Sequence, residues 1–119
     1  MNDDLTFYDW HGAPVAYSDD GETIYLYSGE PVAYLSDDSV YGYSGRHLGF
    51  FEDGFVRDHS GRCVFYTENA QGGPAKPARQ AKPARSARYA QPARAARQAQ
   101  PARAARQSAW SGLGRQFFS

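Results

Sequence analysis

The chain is poor in the residues that build metal, redox and membrane chemistry. Its 119 residues include one cysteine, Cys63, one methionine and three histidines. A lone cysteine excludes an internal disulfide framework. The start, Met1-Asn2-Asp3-Asp4, is acidic and lacks the apolar stretch of a secretory signal. No apolar run approaches the ~18 residues that a bilayer-crossing helix takes. The expected location is therefore cytoplasmic, with no membrane span. Acid is missing too, from the back of the chain. All thirteen Asp and Glu lie between Asp3 and Glu68, against only Arg46, Arg57 and Arg62, which leaves −10. Beyond Gly73 stand ten Lys and Arg and no acid, a charge of +10 hidden by a formal sum of zero.

Motifs of catalysis are scarce as well. Apart from the Met1 thioether, the soft ligands are His11, His47, His59 and Cys63, and they lack the characteristic spacings at which a structural metal site sets its four ligands. No metal and no cofactor are expected, and a Cys–His nucleophile has no support. Asp19-Asp20 and Asp37-Asp38 read as solvated turn residues, because general acid–base work needs a setting that tunes one pKa. The glycines form no phosphate-binding loop of the Walker or Rossmann kind.

What the chain has is a repeated phrase. TFYDWHGAPVAY from Thr6, TIYLYSGEPVAY from Thr23, SVYGYSGRHLGF from Ser39 and FVRDHSGRCVFY from Phe55 align without a gap. Their glycines, Gly12, Gly29, Gly45 and Gly61, are spaced by 17, 16 and 16 residues. Such self-similarity marks a repeat architecture. In each copy a β-branched and aromatic run suits a pleated, half-buried surface. A dipeptide ending in glycine then supplies the φ > 0 of a tight hairpin turn. Turn formers such as Ser18-Asp19-Asp20-Gly21 separate the copies. The reading is all-β: four tandem hairpins of about 16 residues each, eight short antiparallel strands in a meander.

A two-residue turn would pair Phe7 with Ala16, Ile24 with Ala33, Val40 with Gly49 and Val56 with Phe65. It would also pair Tyr8 with Val15, Tyr25 with Val32, Tyr41 with Leu48 and Arg57 with Val64. Alanine or glycine at three of four equivalent positions predicts close backbone approach, as at a crowded symmetry axis. One hairpin is marginal alone in water, so the four must share a core.

This set of G-x-P-V-A-Y hairpins, in a short chain with a basic tail, resembles the bacterial 4-fold beta flower family over roughly residues 5–70. The resemblance implies hairpins arranged as petals around a pseudo-fourfold axis and carries over no active residues. His47-Leu48-Gly49 and Cys63-Val64-Phe65 depart from the Pro-Val-Ala pattern. A closed eight-stranded barrel is the alternative architecture.

The division of charge predicts an acidic β domain over 1–74 and a basic low-complexity tail over 75–119, whose C-terminal end is aromatic at Trp110, Phe117 and Phe118. From Ala75 to Gln107 an alanine recurs at every third position. The next position is basic in nine of eleven triplets: Lys76, Arg79, Lys82, Arg85, Arg88, Arg94, Arg97, Arg103 and Arg106. Polyproline II has three residues per turn and would set these cations on one face. Alanine and arginine favour helix, but interior prolines cost ~3 kcal/mol each. An extended or disordered tail is expected, with one short helix near Arg94 to Trp110 as the exception. Collagen is excluded, since alanine cannot replace the axial glycine.

The nine cations are the candidate anion-binding residues. The functional expectation is a non-catalytic interaction or scaffold module, not an enzyme. Its cationic tail would dock on an unidentified protein partner or on its own body. The alternative is sequence-nonspecific binding of nucleic acid or another polyanion through the same tail. The tyrosines could line a groove for sugars or for a proline-rich peptide, and the tail is itself such a peptide. Ordinary packing is the plainer explanation of them.

Overall fold

The computed structural model describes residues 4–119. Eight strands follow one another round a closed barrel: β1 (Leu5–Tyr8), β2 (Pro14–Ser18), β3 (Thr23–Leu26), β4 (Pro31–Ser36), β5 (Ser39–Tyr41), β6 (His47–Glu52), β7 (Phe55–Arg57) and β8 (Cys63–Tyr66). Each pairs antiparallel with its neighbour, and Tyr8 against Tyr66 joins β1 to β8. Closure leaves no sheet edge, so strands of three to six residues suffice. Petals and barrel are thus one object, because the four hairpins are the wall of the closed sheet.

The inner pairs stand where the repeat puts them: Phe7–Ala16, Ile24–Ala33, Val40–Gly49 and Val56–Phe65. Apart from Gly49, all are fully or almost fully buried in one core cluster. Gly49 is also buried, and a Cβ on it would overlap the carbonyl oxygen of Arg57 on the next strand. The fourth small position holds Phe65 instead. Its ring packs edge-on to Phe7 at 6.4 Å and to Phe117 at 5.8 Å, and stacks on Phe118 at 5.4 Å. The departure from symmetry is thus matched by the chain's own aromatic end, carried on a 3-10 turn over Arg115–Phe118.

The second set of pairs is shifted by one residue. Tyr8 pairs with Pro14, Tyr25 with Pro31, Tyr41 with His47 and Arg57 with Cys63, each across a bulge. The cause is a three-residue loop where the sequence suggested two. Gly12 N donates to Asp9 O and Asp9 N donates to Ala13 O, enclosing Trp10-His11-Gly12. The same two bonds recur at Leu26–Glu30, Gly42–Arg46 and Asp58–Arg62. A turn closed by one residue of positive φ, followed by a bulge, is the ordinary three-residue hairpin solution.

Half-buried strands alternate, yet β3, β5, β7 and β8 are buried at every position. Their outer face is covered by the tail. Residues 75–107 form no helix and no ladder, so the short helix expected near Arg94 to Trp110 does not form. Its backbone donors go to the hairpins, and Pro92 and Pro101 interrupt any helical run. The radius of gyration is 13.4 Å, against ~13.5 Å for a compact chain of this length.

Two glycines of similar φ separate the roles of loop and tail. Gly29 (φ +95°) would place a Cβ inside the carbonyl of Ala87, whereas Gly72 (φ +80°) faces open space. Alanine at either costs about 1–2 kcal/mol of left-handed strain. Gly29→Ala should lose clearly more stability than Gly72→Ala, since it also lifts the tail. Chemical denaturation of the two variants checks this; equal losses would remove the tail from the explanation.

Candidate functional site: a cationic belt on aromatic seams

The tail runs once round the barrel, meeting each hairpin at its glycine. Gln80 N, Tyr89 N, Gln98 N and Gln107 N donate to Gly12 O, Gly29 O, Gly45 O and Gly61 O at 2.9, 2.9, 2.8 and 3.1 Å. The carbonyls of Ala78, Ala87, Ala96 and Ala105 lie over the same four glycines, where any Cβ would overlap them. Both sets are nine residues apart. One hairpin of about 16 residues is therefore read by nine residues of tail.

Between hairpins lie four seams. Three are stacked tyrosine pairs: Tyr8–Tyr66 at 5.2 Å, Tyr17–Tyr25 at 5.8 Å and Tyr34–Tyr41 at 5.9 Å. At the fourth, Phe50 pairs with Arg57. The tail lays cations on them. Arg85 stands 3.9 Å from the Tyr17 ring, Arg94 3.9 Å from Tyr34 and Arg103 4.8 Å from Phe50. Three residues on from each, Arg88 stands 4.4 Å from Tyr25 and Arg97 5.2 Å from Tyr41, while Arg106 pairs with Glu52 and Asp53. Arg79 lies 5.9 Å from Tyr8. A guanidinium over a ring face is worth ~0.5–1 kcal/mol when exposed and more when desolvated.

The acids sit where these cations arrive. Arg88 pairs with Asp19, Arg94 with Glu22, and Arg103 with both Asp38 and Glu52. Bonds to Asp19 and to the Tyr17 hydroxyl push the Arg88 guanidinium pKa further up, and Glu22 does the same for Arg94. Lys82 reaches Glu68 at 3.5 Å, and Lys76 Nζ donates to Ala70 O at 2.7 Å. Asp19 and Asp38 are therefore partners of the tail, whereas Asp20 is bound within its turn. Burial raises the Asp20 pKa, but the amides of Thr23 and Glu22 and the Ser18 hydroxyl bring it below the usual carboxylate value. Each surface pair contributes at most ~1 kcal/mol and is screened by salt. The fit rests on their repetition.

The belt closes on an indole. Seven residues beyond Arg103 the chain offers Trp110, whose ring meets Tyr66 at 5.8 Å and Phe55 at 6.1 Å. Cys63 N donates to Ala109 O and Ser111 N donates to Cys63 O, so Trp110 forms a parallel bridge with Cys63. Cys63 is fully buried and its thiol pKa is raised by that burial, which keeps the sulfur protonated. Arg57, also buried, donates from Nη1 to Gly61 O at 2.8 Å and to Gln107 O at 2.9 Å, tying the last tail unit down.

A histidine pair forms between hairpins, where the repeat within one hairpin gives no register. His47 Nδ1 and His59 Nε2 share a hydrogen bond of 2.9 Å, and His47 Nε2 bonds Ser39 Oγ at 3.0 Å. A two-residue turn at Ser60-Gly61 would set His59 against Arg62. Extending the Phe50–Arg57 pairing between hairpins would instead have put His47 opposite Ser60, next to His59. Among the described residues no three His, Cys, Asp or Glu gather as a metal would need. Burial, then the neighbouring His59, lowers the His47 pKa. The unfolded chain takes up that proton near pH 6.5 while the fold resists it. Stability should be full above that pH and fall as pH drops below it, and His47→Gln should flatten the slope. Thermal melts between pH 8 and pH 5 test this; a slope unchanged in the variant would contradict it.

An all-β barrel of four hairpins, girdled by its own cationic segment, is the class these features define. The 4-fold beta flower protein family model matches residues 5–118, and the chain belongs to that family. The match extends well past residue 70 and takes in the tail. No curated protein and no solved structure matches the chain. Among the described residues no helix is long and apolar enough to cross a membrane.

Proposed function

We propose that the chain is a non-catalytic scaffold whose cationic tail docks on its own acidic barrel. The observation that carries this reading is the nine-residue match between tail and hairpins: four main-chain bonds, each on a hairpin glycine. The buried His47 and Ser39 are bonded to each other, so neither side chain faces an open surface. Small-angle scattering across salt tests the docking. The expected radius of gyration is near 13.4 Å at low salt. A markedly larger value at every salt concentration would reject it.

A second reading keeps the polyanion. Among the described residues Lys76, Arg79, Arg85 and Arg97 meet no carboxylate within ion-pair distance. Nucleic acid could engage these four while the barrel's acids hold the rest, and its affinity would fall steeply with salt. Titration of labelled single- and double-stranded nucleic acid separates the two readings; no binding at low salt would remove the second.

A further inference from the structure

The tail contains one recognition phrase four times. Lys76-Pro77-Ala78-Arg79-Gln80, Arg85-Ser86-Ala87-Arg88-Tyr89, Arg94-Ala95-Ala96-Arg97-Gln98 and Arg103-Ala104-Ala105-Arg106-Gln107 share the form [KR]-x-A-R-[QY]. Four-residue spacers ending in Pro-Ala separate them. In each phrase the alanine carbonyl covers a hairpin glycine and the last residue donates its amide to that glycine's carbonyl. The contact is with main chain and with an arginine, so nothing in a seat requires that the phrase come from the same molecule.

We infer that the belt is exchangeable: the hairpins of one chain accept the tail phrases of a second copy, giving a reciprocal dimer in which each barrel wears its partner's belt. This rests on the self-docking reading above. Exchange keeps every seat filled with the same contacts, and only connectivity changes. The connection that would swing out passes through Gly72, which has positive φ and no atom within 4 Å of a Cβ position. Charge favours the same occupant, since a barrel region of −10 meets a tail of +10 on any copy. Within one chain the tail's high effective concentration favours the closed monomer, so exchange is promoted by high protein concentration during folding.

A charge-swapped pair of full-length chains tests this. One carries Arg88→Glu and Arg94→Glu in the tail; the other carries Asp19→Arg and Glu22→Arg on the barrel. Each alone sets like charges together at two seams, while a reciprocal dimer of the two restores opposite charges at all four sites. Co-refolded at low salt, the mixture should double in mass from the 13.2 kDa monomer while each variant alone stays monomeric. Monomers in the mixture, with both variants folded by circular dichroism, would overturn the inference. Should either variant fail to fold, wild-type chains of two isotopic masses, co-refolded at high concentration and examined by native mass spectrometry, decide instead. Mixed dimers support exchange, and monomers alone overturn it. If wild type scatters as an extended chain, self-docking itself fails; if it is compact and every mixture is monomeric, exchange alone fails.

Discussion

Phe65→Ala should cost about 3–5 kcal/mol, the range for truncating a buried phenylalanine. Phe65 has no exposed surface and touches both ends of the chain, Phe7 from the first strand and Phe117 and Phe118 from the last turn. The three sister positions hold Ala16, Ala33 and Gly49, so alanine fits the local backbone. The loss would come from the cavity and from the unseated aromatic end. Urea denaturation measures it. A loss under 1 kcal/mol would mean that Phe117 and Phe118 pack elsewhere.

The second large effect concerns the tail as a whole. A chain ending at residue 74 should lack a cooperative unfolding transition. It would lose the four main-chain bonds to the hairpin glycines, the cations over six aromatic rings on the seams, the Trp110 closure and the buried Phe117. It would also uncover Tyr17, Tyr34 and Tyr66, each 1% exposed in the full chain. Phe117 alone is worth ~3–5 kcal/mol by the same rule, against a typical total of ~5–15 kcal/mol. Calorimetry of the truncated chain gives the answer. A sharp transition close to that of the full chain would show that the barrel stands without its belt.

Much of the barrel was legible in the sequence because glycine and the inner residues obey local rules. Gly12, Gly29, Gly45 and Gly61 mark the loops, and Ala16, Ala33 and Gly49 mark the crowded inner positions. The loop length was not legible: His11-Gly12 suits a two-residue turn as well as the end of a three-residue one, and the shift of Tyr8 from Val15 to Pro14 follows from that single residue. The split of charge showed that tail and barrel could attract each other. The alanine period of three, however, hid the period of nine that does the reading. Pro83, Pro92 and Pro101, nine apart, were its visible trace. The pairing of His47 with His59 depends on contacts between hairpins, which a within-hairpin register cannot supply. Nor could Trp110 be placed on Tyr66 without knowing that the tail completes a full circuit.

The central claim, a tail seated phrase by phrase on the hairpins, is tested most directly by amide hydrogen exchange resolved by residue. The amides of Gln80, Tyr89, Gln98 and Gln107 should be protected well above their neighbours in the tail, repeating every nine residues, because each is bonded to a hairpin glycine. Exchange of all four at the rate of an unstructured peptide, with the strands of the barrel still protected, would contradict it.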